Sequence, residues 1–125
     1  MKSRITRPAG FTLVEIMIVV AIMGLLASIA IPNFVRARLT AQMNGCVSNL
    51  RLIDGAKQQW ALESRKQDAD TPADSDLQPY LGRTAGGELP SCPADPARTF
   101  ATSYAPQNVA AKPVCRIVPA THVLP

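Results

Sequence analysis

One histidine in 125 residues, and no two cysteines spaced closely enough for a C-x2-4-C motif, leave little from which to build an enzyme or a metal site by pattern. His122 has no nucleophile or acid spaced to work with it, and its place near the C-terminus reads as a frayed end. Gly24 and the Gly86-Gly87 pair form no phosphate loop. Asp68, Asp70, Asp74 and Asp76 offer hard oxygen ligands, but they follow no EF-hand spacing and read as a solvated acidic loop. A large excess of one charge is also missing. The formal net charge is +4, but Lys2, Arg4 and Arg7 precede Gly10, so a chain starting at Phe11 would carry 10 basic and 9 acidic side chains. That balance gives no reason to expect nucleic-acid binding. What charge there is lies unevenly. Arg36, Arg38 and Arg51 stand in a stretch without acids, and most of the acids fall between Asp54 and Asp95. Solvated faces account for this, although bases just beyond an apolar segment can also touch lipid headgroups or acidic patches of a neighbouring subunit.

What the chain does have is an apolar run from Phe11 to Ile31, broken by one acid, Glu15. As a helix these 21 residues would span about 31 Å, which matches the hydrocarbon core of a bilayer. A carboxylate there costs roughly 2.5–3.5 kcal/mol on insertion scales, so it needs a partner or a purpose. The first base downstream, Arg36, lies about six turns away and cannot be that partner.

Three readings of the segment compete. A secretory signal would use Lys2, Arg4 and Arg7 before the apolar core and cut near Ser28-Ile29-Ala30, but the run is long for a signal and Glu15 interrupts it. A plain single-pass anchor explains length and flanks but leaves Glu15 unexplained. Cleavage between Gly10 and Phe11 would remove the basic leader and place a new α-amino group within about one turn of Glu15. An ammonium on one subunit could then neutralise the carboxylate of the next inside a low-dielectric bundle, and the pairing would fix the axial offset between them.

The stretch Pro8-Ala9-Gly10-Phe11-Thr12-Leu13-Val14-Glu15-Ile16-Met17, followed by Ala30-Ile31-Pro32-Asn33-Phe34, strongly resembles the N-terminus of type IV pilins and type II secretion pseudopilins. The resemblance implies that a membrane prepilin peptidase cuts after Gly10, that the Phe11 amine is methylated, and that Glu15 takes part in assembly. It also implies a single-pass topology in the bacterial inner membrane, with the residues after Pro32 outside the cytoplasm. Counting charges, Lys2, Arg4 and Arg7 against Arg36 and Arg38, biases the topology only weakly the same way.

Beyond Pro32 the helical period continues. Val35, Leu39, Met43, Cys46, Leu50, Ile53, Lys57 and Trp60 fall on one face, with Lys57 its single charged interruption beside Ala56. Unbroken from Phe11 to Ser64, such a helix would run roughly 80 Å. Gly24 and Pro32 are its weak points, and a kink or local melting is expected near residues 28–32. The resemblance implies that this segment loosens as a subunit passes from bilayer to filament. Gly24 and Ser28 also present a small face suited to close helix approach.

After Ser64 the texture turns polar. Thr71-Pro72-Ala73-Asp74 would cap a short helix through Leu77 to Leu81, stopped by Gly82. Gly86-Gly87 marks a turn, and Arg98 to Tyr104 and Val114 to Val118 read as two strands of a hairpin. Cys92 and Cys115 are expected to bridge if the domain is exported, while Cys46 on the helix reads as a small packed hydrophobe. The three cysteines and His122 make a formal Cys3His zinc set, but without a spacing motif no metal and no cofactor are expected. Leu77-Gln78-Pro79-Tyr80-Leu81-Gly82 looks like the segment after the long helix of major pseudopilins, whose heads can hold calcium. Leu89-Pro90-Ser91-Cys92-Pro93 resembles small pilin-like proteins with a terminal cysteine loop.

The expected fold is therefore α+β and pilin-like, a long N-terminal transmembrane α-helix with a small antiparallel β-sheet head. Its expected parts are a leader over residues 1–10, a membrane and assembly helix over 11–31, a continuation over 32–64 and a head over 65–125. The resemblance implies a non-enzymatic subunit that polymerises into a type II secretion pseudopilus or type IV pilus. Its partners would be copies of itself, other pilins or pseudopilins, the prepilin peptidase, an inner-membrane assembly platform and the bilayer. The alternative is a membrane-tethered head, displayed singly, that binds a surface, a substrate or DNA.

Overall fold

The computed structural model describes residues 10–82 and 87–125. The basic leader with Lys2, Arg4 and Arg7, and Gly86 of the expected turn, lie outside the described residues. The chain divides into two compact units, one ending at Ala37 and one running from Arg38 to Pro125. A single helix assignment, α1, covers Leu13–Glu63.

The first unit is the start of α1. Residues 28–32 are helical throughout, so the local melting expected there is not present. Proline removes one ladder donor, but its fixed φ is already helical, and strong helical stretches on both sides absorb that loss. The Ser28 hydroxyl donates to the Leu25 carbonyl at 2.7 Å, one turn before the proline. The side chains from Phe11 to Ile31 are exposed, and an 18-residue window reaches a mean hydropathy of 2.6. By length and composition this helix can cross a membrane.

In the second unit the apolar stripe on α1 becomes a core. Cys46, Leu50, Ile53, Ala56, Lys57, Trp60 and Ala61 are buried, whereas Leu39 stays exposed. The helix ends where Arg65 takes a left-handed φ of 51°, letting the Lys66 N–H donate to the Ala61 carbonyl at 2.9 Å. That wrap satisfies a terminal carbonyl in the manner usually assigned to glycine. Next, α2 spans Asp74–Leu81, with the Asp76 carboxylate accepting the Ala73 N–H at 3.0 Å as its cap. It buries Leu77 and Leu81 against α1 residues and stops at Gly82, as its composition predicts. A Cβ on Gly82 would come within 2.9 Å of the Gln78 carbonyl oxygen, so the close return of the chain demands glycine there.

The expected long hairpin is much reduced. Phe100–Ser103 is a helical turn, α3, and only Tyr104–Ala105 (β1) pairs antiparallel with Val114–Cys115 (β2), Tyr104 facing Cys115. The reason is local. Thr99 caps the turn through its hydroxyl, which accepts the Thr102 N–H at 3.3 Å, and this hydroxyl-rich run competes with a strand. One core unites Cys46, Leu50, Ile53, Leu77, Leu81, Cys92, Phe100, Tyr104 and Cys115; a second, smaller group joins Trp60, Ala61 and Val109.

Candidate functional site

Glu15 sits in the first turn of α1, where the unpaired N–H groups of a helix start favour negative charge. Its Oε2 accepts both the Thr12 N–H and the Thr12 hydroxyl, each at 3.2 Å. In return the Glu15 N–H donates to Thr12 Oγ1 at 3.2 Å. The acid that had no visible partner thus has one three residues away. Thr12-Leu13-Val14-Glu15 is a capping box, a signal written in the sequence as Thr-x-x-Glu and overlooked there. These bonds turn the carboxylate toward the N-terminal end of the helix. Phe11 is 83% exposed, and a Cβ on Gly10 would meet no atom within 4 Å, so the Gly10–Phe11 junction is open. The same is true around Gly24.

The head contains two polar anchors. Lys57, expected as a tolerated interruption of an apolar stripe, is fully buried. Its Nζ donates to the Asn108 carbonyl at 3.0 Å and to the Ala111 carbonyl, and lies 3.6 Å from Asp54 Oδ1. Burial pulls the ammonium pKa down from its ordinary value, and Asp54 opposes that pull. Lys57 therefore ties the loop before β2 to the helix. Asp95 is likewise buried, and its Oδ2 accepts the Thr102 hydroxyl and, at 2.7 Å, the Ser103 hydroxyl. Its Oδ1 accepts the Ala97 N–H at 2.9 Å. These bonds, that from Thr102 foremost, hold the carboxyl below its ordinary pKa. Ser103 Oγ also accepts the Cys92 N–H at 2.9 Å, so the Asp95 network positions the Cys92 loop.

The cysteines converge beside that network. Cys92 and Cys115 do meet, but as free thiols with Sγ atoms 3.9 Å apart, without the expected bond between them. His122, far from fraying, is buried, with Nδ1 at 3.8 Å from each of those two sulfurs. The tail is held because the His122 N–H donates to the Val118 carbonyl at 3.0 Å and Lys112 Nζ donates to the Pro125 carbonyl at 2.7 Å. Cys46 completes the group: the four donor atoms all lie within 4.8 Å of one another, and all four residues are buried. Burial pushes the Cys46 and Cys92 thiols up from their ordinary pKa. Gly45 permits the approach, since a Cβ there would sit 3.2 Å from Pro93 Cγ. No short-range spacing announces the group, because its members come from α1, the loop before α3, β2 and the final turn. The acidic loop behaves differently. Asp70 and Asp76 carboxylates accept the Gln67 and Ala73 N–H groups, at 2.8 Å and 3.0 Å, and cap their own turns.

A model of the prokaryotic N-terminal methylation motif matches residues 5–31. The chain is 34% identical over 89 residues to the type IV major pilin protein PilA of Myxococcus xanthus, a match covering 71% of this chain and 40% of the relative. It is 38% identical over 60 residues to type II secretion system core protein G of Klebsiella pneumoniae, covering 48% of this chain and 43% of the relative. To the protein of the same name from Escherichia coli it is 30% identical over 94 residues, covering 70% and 65%. The chain thus spans less than half the length of the first two relatives. No solved structure matches it.

Proposed function

We propose that the chain, which carries the N-terminal methylation motif over residues 5–31 and is similar to a type IV major pilin and to type II secretion core protein G, is a structural filament subunit of the pilin and pseudopilin kind. In this reading the prepilin peptidase cuts between Gly10 and Phe11, the Phe11 amine is methylated, and the apolar start of α1 holds the subunit in the inner membrane. The head then lies outside the cytoplasm, and an assembly platform moves subunits from bilayer to filament. The observation that carries the reading is the placement of Glu15 at the first turn of an uncovered apolar helix, four residues after Phe11.

The capping box refines the assembly chemistry. Thr12 occupies Oε2 of Glu15, and a carboxylate has capacity for further donors. The Phe11 ammonium of a neighbouring subunit would join as an additional, charge-assisted donor, so assembly need not break the cap. The segment from Gly24 to Pro32 is where the helix would loosen during transfer to the filament.

Substituting Glu15→Leu tests this. Membrane fractionation is expected to show insertion unchanged, while sheared or overexpressed filaments fall to a small fraction of wild type. Normal filament yield from the Glu15→Leu chain would contradict the proposal and favour a head displayed singly as a binding module.

A further inference from the structure

We propose that Cys46, Cys92, Cys115 and His122 bind one zinc ion that cross-links the head. A disulfide needs sulfurs about 2.05 Å apart, whereas two thiolates on one tetrahedral zinc, with Zn–S bonds of about 2.3 Å, sit about 3.8 Å apart. Cys92 and Cys115 are separated by 3.9 Å, and His122 Nδ1 stands 3.8 Å from both. A thiolate and an imidazole nitrogen on the same ion would be about 3.6 Å apart, close to what is seen. The third sulfur, Cys46, lies within the same 4.8 Å envelope, which a disulfide between the other two would leave without a role. Four donors packed this tightly enclose a single ion rather than a multi-iron cluster.

The donor chemistry selects the ion. Three thiols and an imidazole are soft to borderline ligands, and a closed set of four, with no oxygen donor, is the composition of a structural zinc site. Coordination forms three Zn–S bonds and one Zn–N bond to neutral imidazole, and it releases three thiol protons to solvent. The supporting shell is in place: the Cys92 N–H is held by Ser103 Oγ, and Ser103 by Asp95. His122 also lines an apolar groove of about 340 Å³ with Leu39, Met43 and Val118. Such an ion would join α1, the Cys92 loop, β2 and the C-terminal turn. In a head whose strands are two residues long, such a cross-link would add to the Lys57 and Asp95 anchors.

The test uses the full-length chain, extracted in detergent without added metal, chelator or reductant. Elemental analysis is expected to find close to one zinc per chain, and alkylation should reach the cysteines only after chelation. Exchange with cobalt(II) should give thiolate-to-cobalt charge-transfer bands. Cys46→Ser should weaken those bands by about a third if it folds, since one thiolate of three is lost. Chelation of the wild type, which needs no variant, should lower the melting temperature by about 10 °C or more, the shift expected when a principal tie of a small domain is removed. A Cys92–Cys115 disulfide in peptides of the unreduced chain, with Cys46 alkylating alone, would overturn the proposal. So would three thiols freely alkylated with neither zinc nor a cobalt signal. Neither result bears on cleavage at Gly10, so failure here and failure of the filament reading are separable.

Discussion

Leu25 and Leu50 are the same residue type on α1, yet Leu25 is 70% exposed and Leu50 is fully buried. The start of the helix is apolar on nearly every side and its described side chains are exposed, whereas from Cys46 onward a one-sided stripe is covered by α2, α3 and the strands. A helix apolar all round needs an environment from outside the chain, lipid or other helices; one apolar on a single face needs only its own head. The difference teaches where stability and assembly reside. Contacts within the chain hold the head, and in the proposed reading contacts with lipid or neighbouring subunits engage the first unit.

The sharpest way to break that contrast is to make one substitution in both places. Leu50→Ala should cost about 2–5 kcal/mol of head stability through lost burial and the cavity left behind. Leu25→Ala should stay within about 0.5 kcal/mol in the same assay, because Leu25 is 70% exposed. Urea unfolding in detergent, followed by the fluorescence of Trp60, reads both, since Trp60 is the only tryptophan and is buried in the head. Equal losses at the two leucines would show that the head depends on the apolar start of the helix.

A smaller effect is expected at Lys57. Lys57→Met keeps the aliphatic stem but leaves the Asn108 and Ala111 carbonyls without their donor, at a cost of about 1–3 kcal/mol. Unfolding midpoints close to wild type would mean that water replaces the amine. Asp95 contributes a dependence on pH more than a large constant. Its folded pKa is depressed, so its contribution is complete above the ordinary carboxylate value of about 4 and is lost as pH falls through the lower folded value. Asp95→Asn should therefore lower stability at neutral pH and flatten its decline in acid. An acid limb as steep as that of wild type would assign the decline to other groups.

The legible parts of the molecule were those fixed by neighbours in sequence. The apolar run, the Cys46 to Trp60 stripe and α2 with its Gly82 stop all follow from periodicity and capping within a few residues. Thr12 belongs to that class too, since its capping box with Glu15 lies within three residues as Thr-x-x-Glu. The head was harder for physical reasons. Thr99, Thr102 and Ser103 look like strand residues by composition, but their hydroxyls bond to local backbone and to Asp95, and the chain turns instead. The convergence of Cys46, Cys92, Cys115 and His122 depends on Gly45 admitting Pro93 and on a tail folding back, and neither leaves a trace in spacing. Lys57 shows the same limit, since its carbonyl partners lie more than 50 residues away.

Glu15 is held by Thr12, and in the proposed reading it receives the amine that cleavage would create. Mass spectrometry of the N-terminal peptide, taken from chain in the membrane and in assembled filaments, tests this most directly. The account predicts a terminus at Phe11 carrying one methyl group. An assembled chain that still began at Met1 would contradict it.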